Sequence, residues 1–187
     1  MKKKLLFAAL VLIIIILTVA CDSAPESGEH YNEYAVAPEY GELSYDADIY
    51  KVLYALQNPE SWVVLDVRTK AEFEGDPTAA TEGVYGFGRI AGAVHIEWSE
   101  ALDEDNKLLP EDELRQIFSE VLDGRSIIAY CRSGRRSAHT QDVLSSLGVE
   151  VLTFSDGWIE WSYTASYGAP QYRDLVLTFT EEWTQAS

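Results

Sequence analysis

Ile127-Ile128-Ala129-Tyr130-Cys131-Arg132-Ser133-Gly134-Arg135-Arg136-Ser137 is the stretch on which the reading of this chain turns. Four apolar residues lead straight into Cys131, which reads as a buried strand ending on the cysteine. Beyond Ser137, Thr140, Val143, Leu144 and Leu147 recur at i, i+3, i+4 and i+7, and Gly148 follows as a stop signal, so the next element is a helix. Between strand and helix lies a tight loop holding Arg132, Gly134, Arg135 and Arg136. The expected geometry puts the thiol at the exposed end of the strand, facing a helix N-terminus where N–H groups converge and negative charge is favoured. A cysteine in that field ionises easily and holds an anionic substrate. The plainer readings are a small buried apolar cysteine and a solvated arginine face; burial would leave three cations unpaired, which argues against both at once.

Outward from the loop, the same logic orders the rest of the chain. Asp46 is placed as the cap of a helix with the apolar stripe Ile49, Val52, Leu53 and Leu56, ended by Asn58-Pro59. Trp62-Val63-Val64-Leu65 reads as a buried strand delivering Asp66, Val67 and Arg68 at its end. Thr69 caps a short helix through Phe73. Residues 74–89, with five glycines and prolines among them, read as a long loop in which Tyr85 and Phe87 either cover the cysteine pocket or lie free on the surface. Ala93-Val94-His95-Ile96 is a short strand. Pro110 opens a helix with acidic residues in its first turn and the stripe Leu114, Ile117, Phe118, Val121. Val149 to Phe154 is the last strand. Strands alternating with helices imply an α/β domain with a mostly parallel central sheet flanked by helices, and functional groups gather at the carboxyl ends of such strands. Asp66, Arg68 and Cys131 all fall there.

The chain has 187 residues, enough for one domain and additional segments. Lys2, Lys3 and Lys4 followed by the apolar run Leu5 to Ala20 form a secretory signal pattern. Leu17-Thr18-Val19-Ala20-Cys21 resembles a bacterial lipobox, with Thr18 where that motif prefers Leu, which makes Cys21 the candidate lipidation site. A retained segment of about 17 residues would instead be long enough to span a bilayer. Either way the expectation is an extracytoplasmic protein tethered to the cell membrane through its N-terminus, at the periplasmic face of the inner membrane if the host is Gram-negative. Residues 1–21 are thus signal or anchor and 22–42 a Ser/Pro/Gly/Glu-rich tether carrying Tyr31, Tyr34 and Tyr40. Residues 43–172 are the folded domain and 173–187 a C-terminal extension.

Charge narrows the partners. The chain carries 14 basic and 31 acidic residues; without the three N-terminal lysines the count is 11 and 31, a net charge of −20. Such a surface argues against nucleic acid and anionic lipid and makes the basic loop at 132–136 a local exception. With Cys21 assigned to lipid, Cys131 is the one remaining thiol, so no internal disulfide is expected. One cysteine and the scattered His30, His95 and His139 do not make a metal site, and no cofactor is expected.

Four stretches together are similar to the single-domain rhodanese family: Leu65-Asp66-Val67-Arg68 with Glu72-Phe73; Gly88-Arg89-Ile90-Ala91-Gly92-Ala93-Val94-His95-Ile96; Cys131 through Ser137; and Asp156-Gly157-Trp158-Ile159-Glu160-Trp161 before Gly168-Ala169-Pro170. Arg89 and Ala91 stand where that family usually has His and Pro, and the 74–87 loop is longer than usual. The resemblance implies a three-layer α/β fold and a sulfurtransferase in which Cys131 takes sulfur from a small anionic donor such as thiosulfate and passes it to a thiol or cyanide. It implies that main-chain N–H groups of 132–136 cradle the sulfur, that Arg136 binds the donor, and that Arg132, Ser133, Gly134 and Arg135 complete the substrate loop. Arg135 could equally pair with acidic surface residues. Asp66 and Arg68 are expected as an ion pair bracing the loop, with Ser137 in support, no metal, and a monomeric state. His95 is expected to be structural, His139 exposed, and Trp158 and Trp161 packing residues. Tyrosine phosphatases place Arg six positions after the cysteine, where this chain has Ser137. The alternatives are a non-catalytic rhodanese module: a persulfide carrier, a redox sensor or a protein-binding domain.

Overall fold

The computed structural model describes residues 46–79 and 83–186. The N-terminal signal pattern, Cys21, the tether with its tyrosines, and His30 lie outside the described residues.

The domain is built on strands β1 (Trp62–Asp66), β3 (Val94–His95), β4 (Ser126–Tyr130) and β5 (Val151–Phe154), which form a parallel sheet in the order β3-β1-β4-β5. Strands β2 (Gly86–Ile90) and β6 (Thr180–Gln185) form a separate antiparallel pair. The helices are α1 (Ile49–Gln57), α2 (Lys70–Phe73), α3 (Glu111–Ile117), α4 (Arg135–Ser146), α5 (Gly157–Tyr167) and α6 (Pro170–Thr178), with a 3-10 turn at Trp98–Ala101. This is the expected α/β architecture, a mostly parallel sheet between two layers of helix.

The alternation of side chains along a strand decides what each layer receives. On β4, Ile127, Ala129 and then Cys131 join the core under α3 and α4, with Val63, Leu65, Leu114, Val143 and Leu144. Ile128 and Tyr130 point the other way, into the core with Val52, Leu53, Trp158, Trp161 and Val176 under α1, α5 and α6. Cys131 therefore faces α4, and its neighbour Tyr130 faces α5.

Three local readings change. Helix α1 is capped by Asp48, whose carboxylate accepts the Lys51 N–H at 2.8 Å. Asp46 instead bridges to Thr153 at the sheet edge and accepts the Ser155 N–H at 3.3 Å. The segment read as loop over 74–89 ends in strand β2, because residues 180–185 supply it with a partner. The C-terminal residues close the domain: the Trp161 indole N–H donates to Thr180 Oγ1 at 3.0 Å, and the Arg89 guanidinium pairs with Glu181 at 2.8 Å. Trp158 and Trp161, at 2% and 0% exposure, are core residues, and Trp158 donates its indole N–H to Gly86 O at 2.8 Å.

Candidate active site

The loop after β4 is held from behind. The N–H groups of Trp158 and Ile159, at the start of α5, donate to Cys131 O at 2.9 Å and Arg132 O at 3.1 Å. These are donors that a helix N-terminus leaves without an internal acceptor. Binding them turns the loop carbonyls toward α5 and leaves its N–H groups for the pocket side. Two glycines permit this. At Gly157 (φ +53°) a Cβ would run into the Cys131 carbonyl, and at Gly134 (φ +87°) it would lie 2.5 Å from Ser155 O.

Gly134 ends the loop as the residue before the twelve-residue helix α4, whose first N–H groups point back at the sulfur. Burial pushes the Cys131 thiol up, while hydrogen bonds from the Ser137 and Ser133 N–H groups, the Ser137 hydroxyl and the charge of Arg136 pull it down; the balance lies below the ordinary thiol value. Ser137, fully buried, has its Oγ 3.8 Å from Cys131 Sγ and 2.9 Å from Gly134 O. The N–H groups of Ser133 and Ser137 thus act on the sulfur.

Cys131 is only 1% exposed, not at an exposed strand end. The arginine loop and helix α2 rise around it, so the sulfur lies on the floor of a pocket of about 510 Å³ lined by Thr69, Glu72, Cys131, Arg132, Ser133, Arg135 and Arg136. The charges there are unequal. Arg136 is engaged by Glu72 through both guanidinium nitrogens, at 2.7 and 3.0 Å. Among the described residues no ion pair engages Arg132 or Arg135.

Asp66 and Arg68 do form a buried pair, with Arg68 Nη2 2.6 Å from Asp66 Oδ2. The pair does not touch the cysteine loop's side chains. It lies on the α5 side of the sheet, where Asp66 accepts the Tyr130 hydroxyl at 2.5 Å, Arg68 donates to Gly88 O at 3.0 Å, and the guanidinium lies 4.5 Å from the Trp158 ring. Burial and the Asp66 charge hold the Tyr130 phenol well above its usual value; burial opposes the Arg68 charge, but Asp66 outweighs it and raises the guanidinium pKa. The pair thus reaches the loop indirectly, through Tyr130 and Trp158 and through the charge of Glu72, which itself holds Arg136.

The remaining candidates lie elsewhere. His95 donates to Arg68 O at 2.9 Å and stacks on Phe73; exposed His139 stacks on Trp98. Tyr85 packs against Tyr163 and Tyr167, and Phe87 lines a small separate cavity with Arg68 and Trp158. Neither covers Cys131. Glu72 and Gly157 were visible in the sequence only as members of motifs. Thr69-x-x-Glu72 is a capping box, so Glu72 was legible as a helix residue. Its ion pair with a residue 64 positions away was not. Among the described residues, no group of three or more His, Cys, Asp or Glu side chains is arranged to hold a metal ion.

Comparison with known proteins bears on this arrangement. The chain is 32% identical over 143 residues to a thiosulfate sulfurtransferase of Corynebacterium glutamicum, which covers 67% of this chain and 47% of that relative. It therefore spans about half the length of that relative. Among solved structures, an anaerobic ergothioneine biosynthesis enzyme from Chlorobium limicola, in complex with trimethyl histidine, superposes with a TM-score of 0.59 at 23% identity, over 63% of this chain and 30% of that one. The wild-type structure of EanB gives 0.58 at the same identity. These two likenesses concern the fold. The model of the rhodanese-like domain matches residues 50–164, from α1 through most of α5, and the chain belongs to the rhodanese-like family.

Proposed function

We propose that this chain is a sulfurtransferase, tethered outside the cytoplasm by its N-terminal segment, that moves sulfane sulfur through Cys131. In the first half-reaction the Cys131 thiolate attacks the outer sulfur of a donor such as thiosulfate. A new S–S bond forms to Cys131, and the donor's S–S bond breaks with its electron pair leaving on sulfite. In the second, a thiolate or cyanide attacks the outer sulfur of the persulfide and returns the electron pair to Cys131. No net proton moves in the cyanide reaction, so the step calls for no general base.

The observation that carries this reading is a thiol whose pKa is lowered by directed N–H groups, in a pocket bearing two guanidinium groups that no ion pair engages among the described residues. Those N–H groups and the start of α4 stabilise a sulfur anion whether it is thiolate or persulfide. The similarity to a named thiosulfate sulfurtransferase supports thiosulfate as the first donor to try.

The test is to incubate the protein with thiosulfate, weigh the Cys131 peptide, then add cyanide and measure thiocyanate, with Cys131→Ser as control. A gain of one sulfur and Cys131-dependent turnover are expected. Loading without turnover would favour the carrier reading, and no loading would remove thiosulfate as donor. Mass analysis of the membrane-bound protein tests the tether: a wild-type chain that begins at a lipid-bearing Cys21, with that lipid lost in Cys21→Ala, indicates lipidation, and an unprocessed wild-type chain still carrying residues 1–20 indicates a retained span.

A further inference from the structure

The lining of the pocket contains an acid. Glu72 is the third residue of the one-turn helix α2, its side chain only 6% exposed, and its two oxygens have separate duties. Oε1 accepts Arg136 Nη2 at 3.0 Å. Oε2 accepts Arg136 Nη1 at 2.7 Å together with the Thr69 N–H at 3.1 Å and the Thr69 hydroxyl at 3.0 Å. Its carboxylate is therefore fixed by the helix cap before it meets the arginine, and the fork-to-fork contact it makes is the strong bidentate kind. An anionic donor meets an Arg136 whose guanidinium already has a counter-ion, beside the nucleophilic sulfur.

We propose that Glu72 is the specificity-determining residue of this pocket: it occupies Arg136, leaves Arg132 and Arg135 at the mouth to receive a donor's negative group, and so limits how strongly anions are drawn to Cys131. The inference deepens the proposed sulfur-transfer function by naming what selects its donor. The deep wall is close to electroneutral, because one carboxylate faces one guanidinium. The rim carries two further positive charges. A donor with its anionic group at a distance from its reactive sulfur satisfies both regions at once. One whose charge lies next to the reacting sulfur must share Arg136 with a carboxylate held by four hydrogen bonds.

The field at the sulfur can be read without sulfur transfer. Iodoacetate and iodoacetamide both alkylate a thiolate by forming an S–C bond and expelling iodide, and they differ in that the first carries a negative charge. Their rate ratio at Cys131, read by mass spectrometry of the Cys131 peptide in the full-length protein, cancels any change in thiol ionisation. Glu72→Gln removes the competing charge while Gln can still complete a capping box. It is expected to raise the iodoacetate-to-iodoacetamide ratio about three- to tenfold, the range for removing one nearby charge in a partly screened site. Arg132→Ala with Arg135→Ala is expected to lower the ratio by a similar factor. An unchanged ratio in Glu72→Gln would reduce Glu72 to a helix cap, and a lowered one would mean it serves to aim Arg136 at the anion; either overturns the proposal. If Glu72→Gln does not fold, an unchanged ratio in the rim double variant overturns it instead. Neither reagent carries sulfur, so the result stands apart from whether thiosulfate loads the enzyme.

Discussion

The single hydroxyl proton of Ser137 has two acceptors within reach, Gly134 O and Cys131 Sγ, and ionisation of the thiol shifts its preference toward the sulfur. Ser137→Ala is thus expected to raise the thiol pKa, leave less thiolate at neutral pH, and slow alkylation of Cys131 by iodoacetamide about fivefold at pH 7, the equivalent of one hydrogen bond. A pH–rate profile moved to higher pH checks this; an unmoved profile would assign the acidity to the backbone and Arg136 alone. Glu72 makes an acid-side prediction. Burial would raise its carboxyl, but the Arg136 and Thr69 hydrogen bonds prevail and lower it. A depressed carboxyl contributes stability that is present above its unfolded value, near pH 4.3, and is lost as the pH falls through its folded value. The stability gap between wild type and Glu72→Gln in urea unfolding is therefore expected to be full at about pH 6 and to narrow as the pH falls below about 4.3 toward the folded-state value. At this scale the cysteine, its arginines and Ser137 were legible, because strand, loop and helix signals adjoin in one stretch. The acid opposite them was not, because only the folded chain brings α2 over the loop.

Two elements meet back to back at the site, the loop before α4 and the N-terminus of α5, and glycine makes the meeting possible. Gly134→Ala places a Cβ against Ser155 O in a backbone conformation that L-residues avoid, with an expected loss of about 1–3 kcal/mol in thermal or urea unfolding. On the other face of the sheet, Arg68→Ala strips the buried Asp66 of its counter-charge and is expected to cost about 3–5 kcal/mol. Because Cys131 faces α4 and this pair faces α5, the alkylation ratio of the folded variant should remain that of wild type. A changed ratio would mean that the pair reaches the thiol's field through Tyr130, Trp158 or the charge of Glu72. The parallel strands were readable as apolar runs, and α4 from its periodicity. Strand β2 was not, since Gly86-Phe87-Gly88-Arg89-Ile90 lacks the composition of a strand and becomes one by pairing with residues from the far end of the chain. The Asp46 cap was misplaced because two aspartates precede the same apolar stripe, and only the sheet edge at Thr153 distinguishes them.

The whole molecule opposes its own pocket. A chain with net charge −17 repels small anions at long range, and Arg132 and Arg135 attract them at short range. Screening acts first on the longer-ranged part, so the second-order rate of Cys131 loading by thiosulfate is expected to rise between 10 and 200 mM salt, roughly the range over which the Debye length shrinks from about 30 to below 10 Å. A steep fall would place the local arginines in control at all distances. The three-layer arrangement was legible from the alternation of strands and helices and from four motifs in order. Its closure was not, because it depends on β6. That closure has a consequence for the order of folding. Gly86 is registered against Gln185 and Ile90 against Thr180, partners far apart in sequence, so the wall carrying the Arg68 contact to Gly88 waits on a long loop closure. Strands β1, β3, β4 and β5 need no partner from β6 and can pair before the seal is made.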